Sequence, residues 1–223
     1  MGDIKNDGTI AFHRSDAVIF NNNITGRGSL VKLGGATLTL TGNNSYEGNT
    51  NVNAGTLLIN GTHTGGGRYD VMPSATLGGS GGITGDVRIS VKGTLSPGAS
   101  IESLDVEGNV NLGPGTLYIE VDGRGTGSID LLNVSNLFAI GEAMVYFDVL
   151  FALDDPAYVF ATYGELEGEF AHVANLPAGY RLDYNYLGGG QIALVQDENP
   201  VIPEPMALGL IGAALFVVRK RRR

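Results

Sequence analysis

A step made of a small residue, threonine and leucine recurs at a nearly even interval through the first half of this chain. It reads Ala36-Thr37-Leu38, Gly55-Thr56-Leu57, Ala75-Thr76-Leu77, Gly93-Thr94-Leu95 and Gly115-Thr116-Leu117, with the threonines 19, 20, 18 and 22 residues apart. Gly8-Thr9-Ile10 reads as a degenerate earlier copy. A unit of this length cannot bury an apolar face alone and gains stability only by stacking on its neighbours. Around each step apolar and polar residues alternate: Leu38 and Leu40 with Thr37, Thr39 and Thr41; Val87, Ile89 and Val91 with Arg88 and Ser90. Period two marks half-buried strands. Clusters such as Gly42-Asn43-Asn44 and Gly65-Gly66-Gly67 separate them and suit tight corners. No stretch before residue 200 carries a helical stripe. The expectation is an all-β solenoid with coils about 4.7–4.9 Å apart. Asn21 to Asn23, Asn49, Asn51 and Asn53 would stack as amide ladders at its turns. An antiparallel sandwich also uses short strands and turn residues, but it has no reason to repeat its residue types at this interval.

Composition narrows the function classes. Glycine supplies 35 of 223 residues, about twice the usual share of roughly 7%. Cysteine is absent, which excludes disulfides, thiolate metal sites and cysteine nucleophiles. The net charge of −9 hides an asymmetry, because five of the 14 basic residues are the last five of the chain. The rest is strongly acidic, which opposes nucleic-acid binding.

Residues 28 to 100 carry a longer pattern. Leu30-Val31-Lys32-Leu33-Gly34 leads into Ala36-Thr37-Leu38-Thr39-Leu40-Thr41-Gly42-Asn43-Asn44-Ser45-Tyr46-Glu47-Gly48-Asn49-Thr50, and Gly93-Thr94-Leu95-Ser96-Pro97-Gly98 follows. This resembles the autotransporter-associated β-strand (passenger-associated) repeat family. The resemblance implies a right-handed parallel β-helix exposed outside the cell. Residues 137–196, with Leu176-Pro177-Ala178-Gly179-Tyr180 and Ile192-Ala193-Leu194-Val195, resemble the family's usual ending and read as a β-rich cap. Only about 25 residues follow, too few for an outer-membrane barrel, so self-export by that route is not expected.

The chain ends in Pro203-Glu204-Pro205, an apolar run from Met206 to Val218, and Arg219-Lys220-Arg221-Arg222-Arg223. These three parts in this order closely resemble a PEP-CTERM sorting signal. The resemblance implies an exosortase-type processing enzyme of a Gram-negative bacterium as partner. The 13 apolar residues would make a short helix of about 20 Å, and the basic end would hold it on the cytoplasmic side of the inner membrane. Met1 to Asn23 lacks the basic and apolar regions of a signal peptide. The expectation is therefore an N-terminally truncated chain. It divides into 1–136 solenoid repeats, a 137–196 cap, a 197–202 linker and a 203–223 sorting and anchor segment.

Catalytic chemistry is thinly represented. His13, His63 and His172 have no metal-ligand spacing. Glu165, Glu167 and Glu169 alternate along one expected strand and form a weak candidate Ca2+ set, as do Asp154-Asp155 and Asp122 with Asp130. Solvated carboxylates that blunt a strand edge explain the same pattern. Asp86 with Arg88 and Asp122 with Arg124 are the weak candidates for polysaccharide cleavage. Tyr180, Tyr184 and Tyr186 alternate and would form a sugar-stacking platform if exposed. The expected function is a non-catalytic, exported surface or biofilm-matrix β-helix with no cofactor. The alternatives are a module that binds extracellular polysaccharide and an enzyme that degrades it.

Overall fold

The computed structural model describes residues 2–98, 100–124 and 128–197. The chain winds through three strand positions per turn, and each position builds one face of a prism. The first turn holds β1 (Ile4–Lys5), β2 (Thr9–His13) and β3 (Val18–Phe20). The second and third hold β4 (Ile24–Thr25), β5 (Ser29–Leu33) and β6 (Thr37–Leu40), then β7 (Asn43–Asn44), β8 (Thr50–Val52) and β9 (Thr56–Ile59). The fourth and fifth hold β10 (Thr62–His63), β11 (Tyr69–Val71) and β12 (Thr76–Gly79), then β13 (Gly82–Thr84), β14 (Val87–Ile89) and β15 (Thr94–Pro97). The sixth holds β16 (Ser103–Glu107), β17 (Val110–Asn111) and β18 (Thr116–Val121).

After that the coils enlarge. A single long strand, β19 (Leu131–Ala139), covers two faces, pairing with β16 through its first half and β17 through its second. The strands β20 (Met144–Val149), β21 (Ala157–Glu167) and β22 (His172–Ala174) continue the parallel stack past residue 136. Among the described residues antiparallel strand pairing enters with β23 (Tyr180–Asp183) and β24 (Gln191–Gln196), and β24 pairs with the Ala157–Thr162 half of β21. That half of the last coil edge is thereby covered, as an open parallel edge requires.

The threonine–leucine repeat is the register of one face. Thr37, Thr56, Thr76, Thr94 and Thr116 are successive Cα partners, and Leu38, Leu57, Leu77, Leu95 and Leu117 stack beside them. Adjacent strand residues point to opposite sides. The leucines are therefore fully buried while the threonines are half-exposed outside. Gly8-Thr9-Ile10 is not an earlier rung of this column. Thr9 stacks on Ser29 on another face, and Val18 is the partner of Leu38. The antiparallel sandwich is ruled out, because every pair from β1 to β22 is parallel.

Glycine is required where consecutive turns touch. A Cβ on Gly65 would lie 1.8 Å from the Tyr46 carbonyl oxygen, so no side chain fits there. Gly55, at φ +67°, makes its turn in the left-handed region that glycine enters without strain.

One part of the expected fold is corrected. The chain was expected to end in an apolar helix crossing or entering the membrane. Among the described residues the helical element is the three-residue 3-10 turn Tyr186–Gly188, and no helix is long and apolar enough to cross a membrane. Residues 203–223, on which that expectation rested, lie outside the described residues. The all-β, parallel-stacked solenoid stands for the described residues.

Two substitutions separate the column from the surface. Leu77→Ala is expected to cost about 2–5 kcal/mol through the cavity it opens. Gly65→Ala is expected to cost about 1–3 kcal/mol or more by forcing two coils apart. Exposed Glu165→Ala should stay within about 0.5 kcal/mol of the parent. Denaturant titration by circular dichroism checks all three.

Candidate functional site

The turns are tied together by short polar side chains that reach the backbone one coil away. Asp3 Oδ1 accepts from the Asn23 N–H at 3.0 Å, and Asn23 Oδ1 accepts from the Asn43 N–H at 2.7 Å. On another edge Asn49 Oδ1 accepts from the Arg68 N–H at 3.1 Å. Along that edge Asp86 Oδ1 accepts from the Asn109 N–H at 2.9 Å, and Asn109 Oδ1 from the Leu137 N–H at 3.2 Å. These are the amide ladders expected of Asn23 and Asn49, with aspartates as additional rungs. The repeat length places such a residue at the same corner each turn, where a backbone N–H has left the sheet and needs an acceptor.

Several polar side chains are buried in the prism, and three of them, Lys32, His63 and Asp130, can carry a charge. Lys32 is only 2% exposed, and its ammonium donates to the carbonyls of Leu33, Gly34 and Ala54 at 3.0, 2.8 and 3.0 Å. All three donors are used, so the charge pins two successive coils together. Burial pulls its pKa below the usual lysine range.

His63 is 1% exposed and lies 4.0 Å, centroid to centroid, against the Tyr46 ring. Its Nε2 is 2.8 Å from the Tyr46 carbonyl and its Nδ1 is 2.8 Å from the Tyr69 hydroxyl. A carbonyl can only accept, so Nε2 carries the proton and Nδ1 accepts from Tyr69. Burial pushes the His63 pKa down, only partly offset by the carbonyl bond. The Tyr46 hydroxyl meets Thr50 Oγ1 at 2.6 Å, so the cluster sews two successive coils together. Asp130 is the third group and is fully buried. Its Oδ2 accepts from the Glu120 N–H at 2.9 Å, while Oδ1 has no hydrogen-bond partner among the described residues. Burial first, with Glu120 and Glu102 adding repulsion, pushes its pKa up to about 7.

The candidate chemical residues are mostly committed to structure. Glu165 and Glu167 share the exposed face of β21, and Glu169 lies in the turn beyond it. Among the described residues no group of three or more acidic or histidine side chains is arranged to hold a metal ion. Asp122 and Arg124 form an exposed ion pair at 2.7 Å. Asp86 serves the Asn109 corner and leaves Arg88 unpaired among the described residues. The N–H groups of Asp154 and Asp155 donate to the Tyr158 hydroxyl at 3.2 and 3.1 Å. His13 and His172 are exposed at strand positions on separate faces.

The three tyrosines do not form a platform. Tyr180 is buried against Tyr158, and its hydroxyl donates to the Asp155 carbonyl at 2.7 Å. Tyr184 packs on Phe170 and accepts from its N–H at 3.1 Å. Tyr186 starts the 3-10 turn. An aromatic pair that the repeat pattern did not single out does lie on an outer face. Tyr118 and Tyr146 are register partners, stacked at 5.4 Å and 8°, with the Tyr118 hydroxyl bonded to Asp148. Pairing β18 with β20 across a 28-residue coil was the missing signal. The sorting residues Pro203, Glu204, Pro205, Arg219, Lys220, Arg221, Arg222 and Arg223 lie outside the described residues.

Comparison with known proteins gives the same element. Residues 30–59 match the family model described as Passenger-associated-transport-repeat. The chain is 47% identical over 93 residues, 40% of its length, to the "Adhesin BmaC autotransporter" of Brucella suis. It is 37% identical over 107 residues, 48% of its length, to an "Extracellular serine protease" of Serratia marcescens. It is 33% identical over 117 residues, also 48% of its length, to the "Neisserial autotransporter lipoprotein NalP" of Neisseria meningitidis serogroup B. The aligned parts cover only 3%, 10% and 11% of those proteins. The chain thus carries a passenger-associated repeat at residues 30–59 and is similar, over the aligned stretches, to the adhesin and to the autotransporter lipoprotein.

The buried groups predict opposite pH responses. His63 is neutral when folded and has a lowered pKa, so the unfolded chain binds the extra proton. Its stabilisation is complete above about pH 6.5 and falls as the pH drops below that. His63→Gln should flatten this slope in urea midpoints taken from pH 7.5 to 5. Asp130 has a raised pKa, so the folded chain holds the extra proton between pH 3.8 and about 7. Its contribution is best at low pH and is lost as pH rises through that window. Asp130→Asn should therefore gain on the parent progressively from pH 4 to 7 and level off above it, by a few kcal/mol at most.

Proposed function

We propose that this chain is a non-catalytic, exported β-helix that acts as a spacer or adhesive shaft at the cell surface or in an extracellular biofilm matrix. The observation that carries the reading is the uninterrupted parallel stack from β1 to β22 with the passenger-associated repeat inside it. Such a stack has a core that extends in one dimension and can be lengthened without changing its cross-section. A rigid rod follows from that geometry, whereas a catalytic centre needs converging side chains. The acid–base pairs singled out for catalysis support the same reading. Asp86 is held by Asn109, and Asp122 is held by Arg124. The relatives' names range from an adhesin to a serine protease, so no single activity is common to them.

The tail completes the proposal. Pro203-Glu204-Pro205 and the terminal Arg219 to Arg223 act as a sorting signal handled by an exosortase-type enzyme. Proline as a residue type disfavours helix at its own and the preceding position, and an extended peptide is the form in which a processing enzyme grips its substrate.

Delivery is tested in the native host with an epitope in the Gly188–Gly190 turn. The intact chain is expected to be accessible to antibody on unbroken cells, and a variant lacking residues 203–223 to lose most of that signal. Unchanged surface signal without the tail would remove the sorting role. Turnover of any glycan by the purified chain, abolished in Asp86→Ala, would overturn the non-catalytic reading.

A further inference from the structure

The outer faces carry a regular device. An arginine or lysine and an aspartate two residues apart pair with each other, mostly at a strand end or in a turn. Lys5–Asp7, Arg14–Asp16, Arg68–Asp70, Arg124–Asp122 and Arg181–Asp183 all do so, at 2.7 to 3.8 Å. Arg88 breaks the rule. Its counterpart two residues away, Asp86, is turned to the Asn109 N–H and side-chain amide at 2.9 and 3.0 Å. Arg88 is exposed and has no ion pair among the described residues.

That guanidinium lines a cleft of about 600 Å³, which runs up the solenoid across four coils. The register fixes its order. Arg88 partners Asn111, Asn111 partners Ala139, and Ala139 partners Glu167. Three coil steps separate the positive end from Glu167, about 14 Å, too far for the two to neutralise each other. Glu142 lines the same acidic end from a neighbouring turn, and exposed Val91 and Pro114 form an apolar wall along it. Small residues, Gly113, Ala139 and Gly141, keep the cleft open.

We propose that this cleft binds an extended acidic oligosaccharide, in a sugar-binding role that rests on the surface-exposed shaft reading. Arg88 takes the carboxylate of a uronate unit, which a guanidinium holds through two parallel hydrogen bonds. Asn111, whose Oδ1 already accepts from the Gly113 N–H at 2.8 Å, offers its amide N–H groups to sugar hydroxyls. The carboxylates of Glu142 and Glu167 accept hydroxyl hydrogen bonds from uncharged units and repel a second uronate placed there. Val91 and Pro114 cover the apolar ring faces. The cleft spans four coils, which suits an extended chain segment. The preferred polymer therefore carries its acidic units sparsely, alternating with neutral ones.

The purified chain is titrated calorimetrically with three tetrasaccharides. One alternates glucuronate with N-acetylglucosamine, one is all N-acetylglucosamine, and one is all galacturonate. The alternating probe is expected to bind at least tenfold more tightly than either other. Arg88→Ala should lose tenfold or more of that affinity, with Arg88→Lys recovering part of it. Glu167→Gln should narrow the gap for the all-galacturonate probe. Circular dichroism melts of these exposed variants should match the parent. No binding of the alternating probe at millimolar concentration, equal binding of the neutral probe, or full affinity in Arg88→Ala would overturn the proposal. These titrations use purified protein, so their failure leaves surface delivery untouched, and a failure of delivery leaves them readable.

Discussion

Every feature of this molecule depends on coils staying in register at one strand spacing. Each strand of one turn satisfies its backbone groups on the turns above and below. The sequence interval between partners therefore has to match the perimeter of the coil. Where the perimeter is about 20 residues the columns are regular, as in Thr37 over Thr56 over Thr76. Where it grows to 28, as between Leu117 and Val145, the extra length leaves as loops and the inner column still closes. Glycines such as Gly65 follow from the same spacing, since any Cβ there would collide with the adjacent coil's carbonyl.

The interior is not purely apolar, and its polar groups have a common logic. Lys32, His63 and Asn44 each bond to the backbone where the chain leaves one face for the next. Corners free carbonyls and N–H groups from the sheets, and a buried backbone group without a partner is expensive. A side chain fixed inside the prism is the nearest available partner. Asp130 departs from this pattern with one oxygen unpartnered among the described residues, at the point where the coil perimeter expands.

Much of the fold was legible in the sequence because the repeat writes register directly. The leucine and threonine columns came from spacing alone; of the asparagines expected at corners, Asn23 and Asn49 take that place, whereas Asn51 lies within β8. The long strand β19 was not legible, because it spans two faces without a glycine break and so hides one corner. The functional residues were less readable. Period two correctly put Glu165 and Glu167 on one face but said nothing of what faces them. It also suggested a tyrosine platform at Tyr180 and Tyr184, whose hydroxyls instead serve the cap from within. Arg88 was visible beside Asp86, but its isolation depends on Asn109, 23 residues away in the next coil. Alternation describes one strand, whereas pairing between coils decides which charges are spent.

The stacked threonine column is open to a direct measurement, because the chain contains no cysteine. Cysteines placed in pairs on this column report which residues are neighbours. Parallel strand partners lie about 4.8 Å apart, within the Cα range of a disulfide. The double variant Thr56→Cys/Thr76→Cys should therefore close a disulfide under mild oxidation. The double variant Thr56→Cys/Thr94→Cys, two coil steps apart at about 10 Å, should not. Cross-linking of the second pair without the first would contradict the in-register parallel solenoid on which the rest depends.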